Sequence, residues 1–315
     1  MSMALIFPGQ GSQAVGMGKV FADQFSVARA VFAEVDDALG QNLSRVMFEG
    51  PDDELTLTAN AQPALMAVSM AVLRVLQHEA GLDLKKHVAY VAGHSLGEYS
   101  ALAAAGSLTL ADTARLLRIR GNAMQAAVAP GVGAMAALIG LDFTTAAAVA
   151  SEAALGEVCQ AANDNGGGQV VVSGSKAAVE RAVELAKARG ARRAVMLSVS
   201  APFHCALMQP AADAMALALS DVQLIAPSVP LVGNVAAVGG TDPNEIRAAL
   251  VRQVTGTVRW RESVEWMATN GVSRFVEMGT GKVLTGLVKR IATEAEGMAI
   301  NAPEDVAGFR PSIGQ

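Results

Sequence analysis

The chain has 315 residues, of which 52% are hydrophobic and 17% charged, with a formal net charge of −5. That length and apolar content are enough for a sizeable buried core and exclude a disordered chain. The negative charge argues against a nucleic-acid surface, and two cysteines, Cys159 and Cys205, make no disulfide framework. A reduced, cytoplasmic protein is expected, with no basic-then-apolar leader because Pro8 and Gly9 interrupt the first apolar run. No uninterrupted apolar run approaches the ~18 residues of a membrane span.

Residues 4–7 read as a buried strand stopped by Pro8 and Gly9, and residues 10–13 as a glycine-rich loop of the kind that holds ligands in α/β folds. That loop lacks the Gly-Lys-Ser/Thr of a phosphate loop, so Gln10 belongs either to a site or to a plain turn. Helices are expected over 17–39, where Phe21, Phe25, Ala28 and Phe32 recur at core spacing, and over 62–79, with Pro63 near its start.

The stretch from 88 to 106 carries the strongest signal. A short apolar strand (88–92) meets Gly93-His94-Ser95-Leu96-Gly97, and an Ala- and Leu-rich helix follows. Gly-x-Ser-x-Gly between a buried strand and a helix is the nucleophile elbow. The flanking glycines leave room for a sharp turn that holds the serine at the carboxyl edge of the sheet. There the free N–H groups of a helix start favour a developing oxyanion. The competing reading of Ser95 is a plain N-cap.

A helix over 110–127 carries Arg115 and Arg118, read as a solvated face, and Arg120, which is less suited to the surface. From 133 to 199 the order is β-α-β-β-α-β, with strands at 135–139, 158–162, 170–172 and 193–197, helices at 144–154 and 176–189, and a turn at 163–168. This is the ferredoxin-like pattern. It predicts an inserted small domain over 131–199 within an α/β domain made of 1–130 and 200–315. A helix to about 219, a strand at 230–232 leading to Asn234, helices over 244–254 and 260–270, a strand at 274–278 and a last helix to 291 follow. Gly279-Thr280-Gly281 before that helix is either an anion site or a tight turn. From Asn301 a Pro- and Gly-punctuated tail is expected to pack loosely.

A serine nucleophile needs a base, and the chain has four histidines. His94 adjoins Ser95 and points away from it, while His78 and His87 precede the elbow strand at its far end. His204 remains. No acid is poised to complete a triad: Asp213 and Asp221 read as solvated, and the chain order differs from that of an esterase.

Phe7-Pro-Gly-Gln-Gly-Ser-Gln13, Gly93-His-Ser-Leu-Gly-Glu-Tyr-Ser100, Arg120-Gly121, Pro202-Phe-His204 and Gly279-Thr-Gly-Lys-Val-Leu284 together resemble the malonyl-CoA:acyl-carrier-protein transacylase family, at matching spacing over nearly the whole chain. The resemblance implies an α/β-hydrolase-like large domain with the inserted small domain, and a site in the gorge between them. It implies that Ser95 carries the malonyl group and that His204 is the base, held by the main-chain carbonyl of Gln253, which accounts for the missing acid. It further implies an oxyanion hole from the amides of Gln10 and Leu96, and pairing of Arg120 with the malonyl carboxylate. His94, Phe203, Asn163 and Asn234 are further pocket candidates, and a bulky Phe203 before the histidine accompanies malonyl choice in related acyltransferases. Cys205, beside His204, reads as a small packed residue.

The implied partners are a coenzyme A thioester and an acyl carrier protein, with no cofactor, no metal, no nucleic acid and no membrane, in a monomer. Carrier proteins are acidic, so a basic rim is expected, with Arg189, Arg192, Arg193, Lys289 and Arg290 as candidates. A free-standing polyketide-synthase acyltransferase, or the malonyl-transfer subunit of malonate decarboxylase, would share these catalytic residues. A hydrolase would need no Arg120.

Overall fold

The computed structural model describes residues 2–311. Strand β1 (Ser2–Phe7) is the apolar run at the N-terminus, and its alternation decides what packs on each side. Met3, Leu5 and Phe7 face one core, and Ala4 and Ile6 face another that contains Trp260, Met267 and Leu287. A strand buried on both faces belongs inside a mainly parallel sheet. β1 pairs in parallel with β2 (Val88–Gly93) on one side and β9 (Val272–Met278) on the other. With β7 (Leu231–Val232), β8 (Gly239–Gly240) and β10 (Glu296–Ile300), the six-stranded order is β10-β9-β1-β2-β7-β8, and only β7–β8 is antiparallel.

The β1–β2 register places Phe7 opposite Gly93, and the His94 amide donates to Phe7 O at 3.0 Å. The loop after β1 and the elbow after β2 therefore emerge side by side at the carboxyl edge, where α/β sheets form their clefts.

The helix Thr58–Glu79 crosses the first core, with 17 of its 22 residues buried. By length and composition it would span a membrane, but 89% of its most apolar window is buried inside the protein, as expected of a central core helix. It begins at Thr58 rather than at residue 62, so Pro63 lies inside it. The single helix expected over 17–39 is two, Lys19–Gln24 and Ser26–Leu39, broken where Phe25 turns extended (φ −122°, ψ 119°). Apolar spacing continues across the break, which is why the pattern hides it. The tail is not loose. β10 extends the sheet, the helix Pro303–Gly308 follows, and Phe309 is fully buried, 5.6 Å from the Arg274 guanidinium.

Strands β3 (Gly133–Ile139), β4 (Cys159–Asp164), β5 (Gln169–Ser175) and β6 (Arg193–Met196) form a separate antiparallel sheet in the order β4-β5-β3-β6. The helices Phe143–Ala154 and Lys176–Ala188 cover it through Val149, Ala150, Val179 and Ala182, packed on Leu138, Val170 and Val172. Asn163 and Asp164, expected in the turn, belong to β4. The turn itself is Asn165 to Gly168, whose three glycines all have positive φ, and a Cβ on Gly166 would lie 2.4 Å from Ile291. The outer edge of β4 is closed by the main body: Val258 exchanges backbone bonds with Ala162 and Asp164 (2.8 and 2.9 Å), and Arg261 Nε donates to the buried Asp164 carboxylate at 2.9 Å. An edge covered in this way offers no free ladder.

Candidate active site

Ser95 has φ of 53°, in the left-handed region that non-glycine residues rarely adopt. Its neighbours explain why the turn needs glycine on both sides. A Cβ on Gly93 would lie 2.0 Å from Gly97 C, and one on Gly97 would lie 2.2 Å from Phe7 O. Strain of this kind costs about 1–3 kcal/mol and persists only where the surroundings hold it. Here Asn234 Oδ1 accepts from Ser95 N at 2.7 Å, Asn234 Nδ2 donates to Gly93 O at 2.6 Å, and Gln253 Nε2 donates to Ser95 O at 2.9 Å. Both peptide flanks of the serine are thus fixed by side chains from elsewhere in the chain. The Ser95 hydroxyl does not cap the elbow helix Gly97–Ala104, which has no side-chain cap. It faces His204 and Arg120 instead.

Ser95 Oγ lies 2.8 Å from His204 Nε2, and His204 Nδ1 lies 2.9 Å from the main-chain oxygen of Gln253. A carbonyl can only accept, so Nδ1 carries the proton and Nε2 is free to take one from the serine. Burial, reinforced by the Arg120 guanidinium, pushes the imidazole down to about 3, so it is neutral at ordinary pH. His94 turns the other way and bonds Asn165 Oδ1 through Nε2 at 2.9 Å. His78 pairs with Glu79, and His87 accepts from the Asp83 amide before β2 begins. Cys205 is buried, with its thiol donating to Pro202 O at 3.1 Å, and burial raises its pKa.

Arg120 comes from the helix Leu110–Ala126 and is only 1% exposed. Nη1 donates to Gln62 Oε1 (2.8 Å), and Nη2 donates to Gln253 Oε1 (2.8 Å) and Ser95 Oγ (3.1 Å). The next residue makes this approach possible: a Cβ on Gly121 would lie 2.6 Å from Ala59 Cα, so the two helices touch there. Burial lowers the pKa of Arg120, which nonetheless keeps neutral amide oxygens for company. Arg118, expected on a solvated face, instead buries Nε and Nη2 without a hydrogen-bond partner.

These groups open on a cleft of about 400 Å³, lined among others by Gln10, His94, Leu96, Asn163 and Phe203. Asn234 and Gln253 do not line it; they lie behind the nucleophile. Among the described residues, the main-chain amides of Gln10 and Leu96 make no protein hydrogen bond. The Gln10 side chain donates to Thr58 Oγ1 at 3.2 Å. The glycine pair at 279–281 is not an anion site: the buried Glu277 carboxylate already accepts from Leu284 N (3.1 Å) and Thr285 N (2.7 Å) at that helix start.

Gln62 and Glu98 went unnoticed in the sequence, although both are buried polar groups of this network. Glu98 had one visible signal, a charged residue within the apolar helix that follows the elbow.

Residues 4–308 match the profile of the acyl transferase domain family. Over 304 residues the chain is 49% identical to the malonyl CoA-acyl carrier protein transacylase of Escherichia coli K12, covering 96% of this chain and 97% of that one. Among solved structures, an acyl-carrier-protein-S-malonyltransferase from Bartonella henselae is 60% identical with a TM-score of 0.96, over 98% of both chains. A malonyl-transacylase in complex with its type II polyketide synthase acyl-carrier protein is 44% identical with a TM-score of 0.93, again over 98% of both chains. With a strained serine, a histidine and a buried arginine converging on one cleft, and relatives of this closeness along its whole length, the chain belongs to the acyltransferase family of malonyl CoA-acyl carrier protein transacylases.

Proposed function

We propose that this chain transfers the malonyl group of malonyl-CoA to the phosphopantetheine thiol of an acyl carrier protein, through a malonyl ester on Ser95, for fatty acid chain elongation. One observation carries the reading: a fully buried guanidinium, held by two amide oxygens, donates at 3.1 Å to the oxygen that would be acylated. A buried cation with no carboxylate in contact, its nearest acid Glu98 one amide away behind Gln253, is a receptor for a substrate carboxylate beside the nucleophile.

His204 Nε2 takes the hydroxyl proton as Ser95 Oγ attacks the thioester carbonyl. Charge then gathers on the carbonyl oxygen, and the amides of Gln10 and Leu96 donate to it. The C–S bond breaks and coenzyme A leaves with the proton from His204. The carrier thiol enters the same cleft, gives its proton to His204, attacks the ester and releases Ser95. No cofactor or metal takes part. Arg120 pairs with the malonyl carboxylate throughout, and Phe203 narrows the cleft beside the acyl group. His94 is held by Asn165 as part of the cleft wall and takes no proton from Ser95.

The second sheet with its two helices, residues 131–199, is in this reading a ferredoxin-like domain inserted into an α/β-hydrolase-like domain of residues 1–130 and 200–315; its strand order β4-β5-β3-β6 supports that assignment. This reading takes the protein to be a monomer. The carrier would meet a basic rim beside the 165–168 turn. Arg290 packs on Gly167 and Arg192 on Gly140, whose amide bonds Gly168 O. Arg193 and Lys289 adjoin them, whereas Arg189 is engaged by Glu152.

Initial rates with malonyl-CoA and phosphopantetheinylated carrier test the reading. Parallel double-reciprocal lines are expected. Intersecting lines, or release of free malonate at the same rate without carrier, would overturn it.

A further inference from the structure

Glu98 is fully buried in the first turn of the elbow helix and touches no part of the cleft. Its Oε2 accepts from Gln253 Nε2 at 2.9 Å and from the Asn234 amide at 3.0 Å. Its Oε1 has no hydrogen-bond partner and faces Gly233, where a Cβ would lie 3.3 Å away. The two residues it holds are the two that clamp the peptide flanks of Ser95, and Gln253 also holds Arg120.

We propose that Glu98 is a positioning residue: it fixes which way round the Gln253 amide sits, and through that amide keeps the Arg120 guanidinium beside the nucleophile. A primary amide has almost the same shape after a half-turn, so only its partners decide the orientation. As observed, Oε1 accepts from Arg120, and Nε2 donates to Ser95 O and Glu98 Oε2, with a longer 3.5 Å contact to Asn234 Oδ1. Reversed, the NH2 would face the guanidinium, donor against donor, and Oε1 would face acceptors only, the nearest of them the Glu98 carboxyl. Oε2 of Glu98 accepts in either protonation state, because a proton on the unpartnered Oε1 leaves Oε2 a carbonyl oxygen, which still accepts though without the charge. Burial raises the Glu98 pKa, which makes that independence useful.

Without Glu98, the Gln253 NH2 keeps Ser95 O and a long 3.5 Å contact with Asn234 Oδ1 but loses its one charged acceptor, and Asn234 N loses its own partner. Arg120 then keeps Gln62 but loses the fixed acceptor that holds Nη2 beside Ser95, and a substrate that depends on it suffers more than one that does not. The kinetic readout rests on the malonyl-transfer reading; the crystallographic one below does not.

The test compares Glu98→Met, of similar length with no acceptor, against Glu98→Gln, which retains a carbonyl oxygen at the Oε2 position and places its NH2 toward Gly233. Glu98→Leu replaces the methionine variant if that one does not accumulate. For Glu98→Met the ratio of kcat/KM for malonyl-CoA over acetyl-CoA is expected to fall about tenfold, the effect of one orienting bond to a charged group. Inactivation by phenylmethanesulfonyl fluoride, which needs Ser95 and His204 but no carboxylate recognition, is expected to stay within about threefold of the unmodified protein, and Glu98→Gln is expected to restore the ratio. An unchanged ratio, or a ratio and an inactivation rate that fall together, overturns the proposal. In a crystal structure of Glu98→Met without substrate, Arg120 is expected to have left Ser95 Oγ and Gln253 Oε1. Arg120 still seated on both overturns the proposal even if malonyl transfer holds. If wild type shows no malonyl preference, the functional reading fails and this structure still decides the role of Glu98.

Discussion

Replacing Arg120 by alanine removes, among the described residues, the only charged group within hydrogen-bond reach of the Ser95 hydroxyl. The guanidinium is held by Gln62 Oε1 and Gln253 Oε1, both at 2.8 Å. Without it, a malonyl carboxylate entering the cleft meets two carbonyl oxygens instead of a cation. Removing one partner of a buried, hydrogen-bonded charge pair costs about 2–5 kcal/mol. At about 1.36 kcal/mol per tenfold, malonyl transfer should slow by roughly 30-fold to several thousandfold. The variant also loses the 3.1 Å bond to Ser95 Oγ, but this loss applies equally to acetyl-CoA. The ratio of acyl-enzyme formation rates from malonyl-CoA and acetyl-CoA, read by quenched intact-protein mass spectrometry, therefore isolates the carboxylate contact. A ratio within about threefold of the wild-type value would refute the reasoning. Arg120→Lys should recover part of it, since the charge returns without the planar fork.

His204 is neutral in the folded protein down to about pH 3, against an ordinary histidine value of 6.5, so acylation should show no loss of base between pH 8 and 5; a step at pH 6.5 in kcat/KM would contradict this. The same depression makes folding stability contributed by His204 complete above pH 6.5 and lost progressively as pH falls from there toward 3, which denaturant midpoints in wild type and His204→Ala would register. Removing Arg120 should raise the His204 pKa while leaving it below 6.5, because burial, the larger cause, remains. Gly97→Ala would put a methyl group 2.2 Å from Phe7 O, so a lower Tm and loss of Ser95 acylation are expected together; a stable, active variant would mean the elbow is looser than described.

Local signals made the elbow legible. Gly93 and Gly97 announce a close approach of backbones, and a strand on one side with a helix on the other tells where the serine must sit. His204 was reachable by subtraction, because three other histidines could be placed elsewhere in the chain. What surrounds these residues was not legible. Asn234 and the Gln253 carbonyl were named only through the family resemblance, and neither the Gln253 side chain nor Gln62, on the distant Thr58–Glu79 helix, could be placed against Arg120 from spacing. The break at Phe25 and the strand Glu296–Ile300 escaped for a related reason: the first keeps its helical spacing, and the second is a short edge strand whose pairing with β9 does what its own composition does not. Arg118 looked solvated because spacing along a helix says nothing about which neighbours cover it.

The most direct test of the account is to expose the protein to malonyl-CoA, map the modified peptide, and then add phosphopantetheinylated carrier. One malonyl group on Ser95, absent in Ser95→Ala and discharged onto the carrier, is the predicted result. A malonyl group on Cys159 or Cys205, or an unmodified protein that accumulates free malonate, would contradict it.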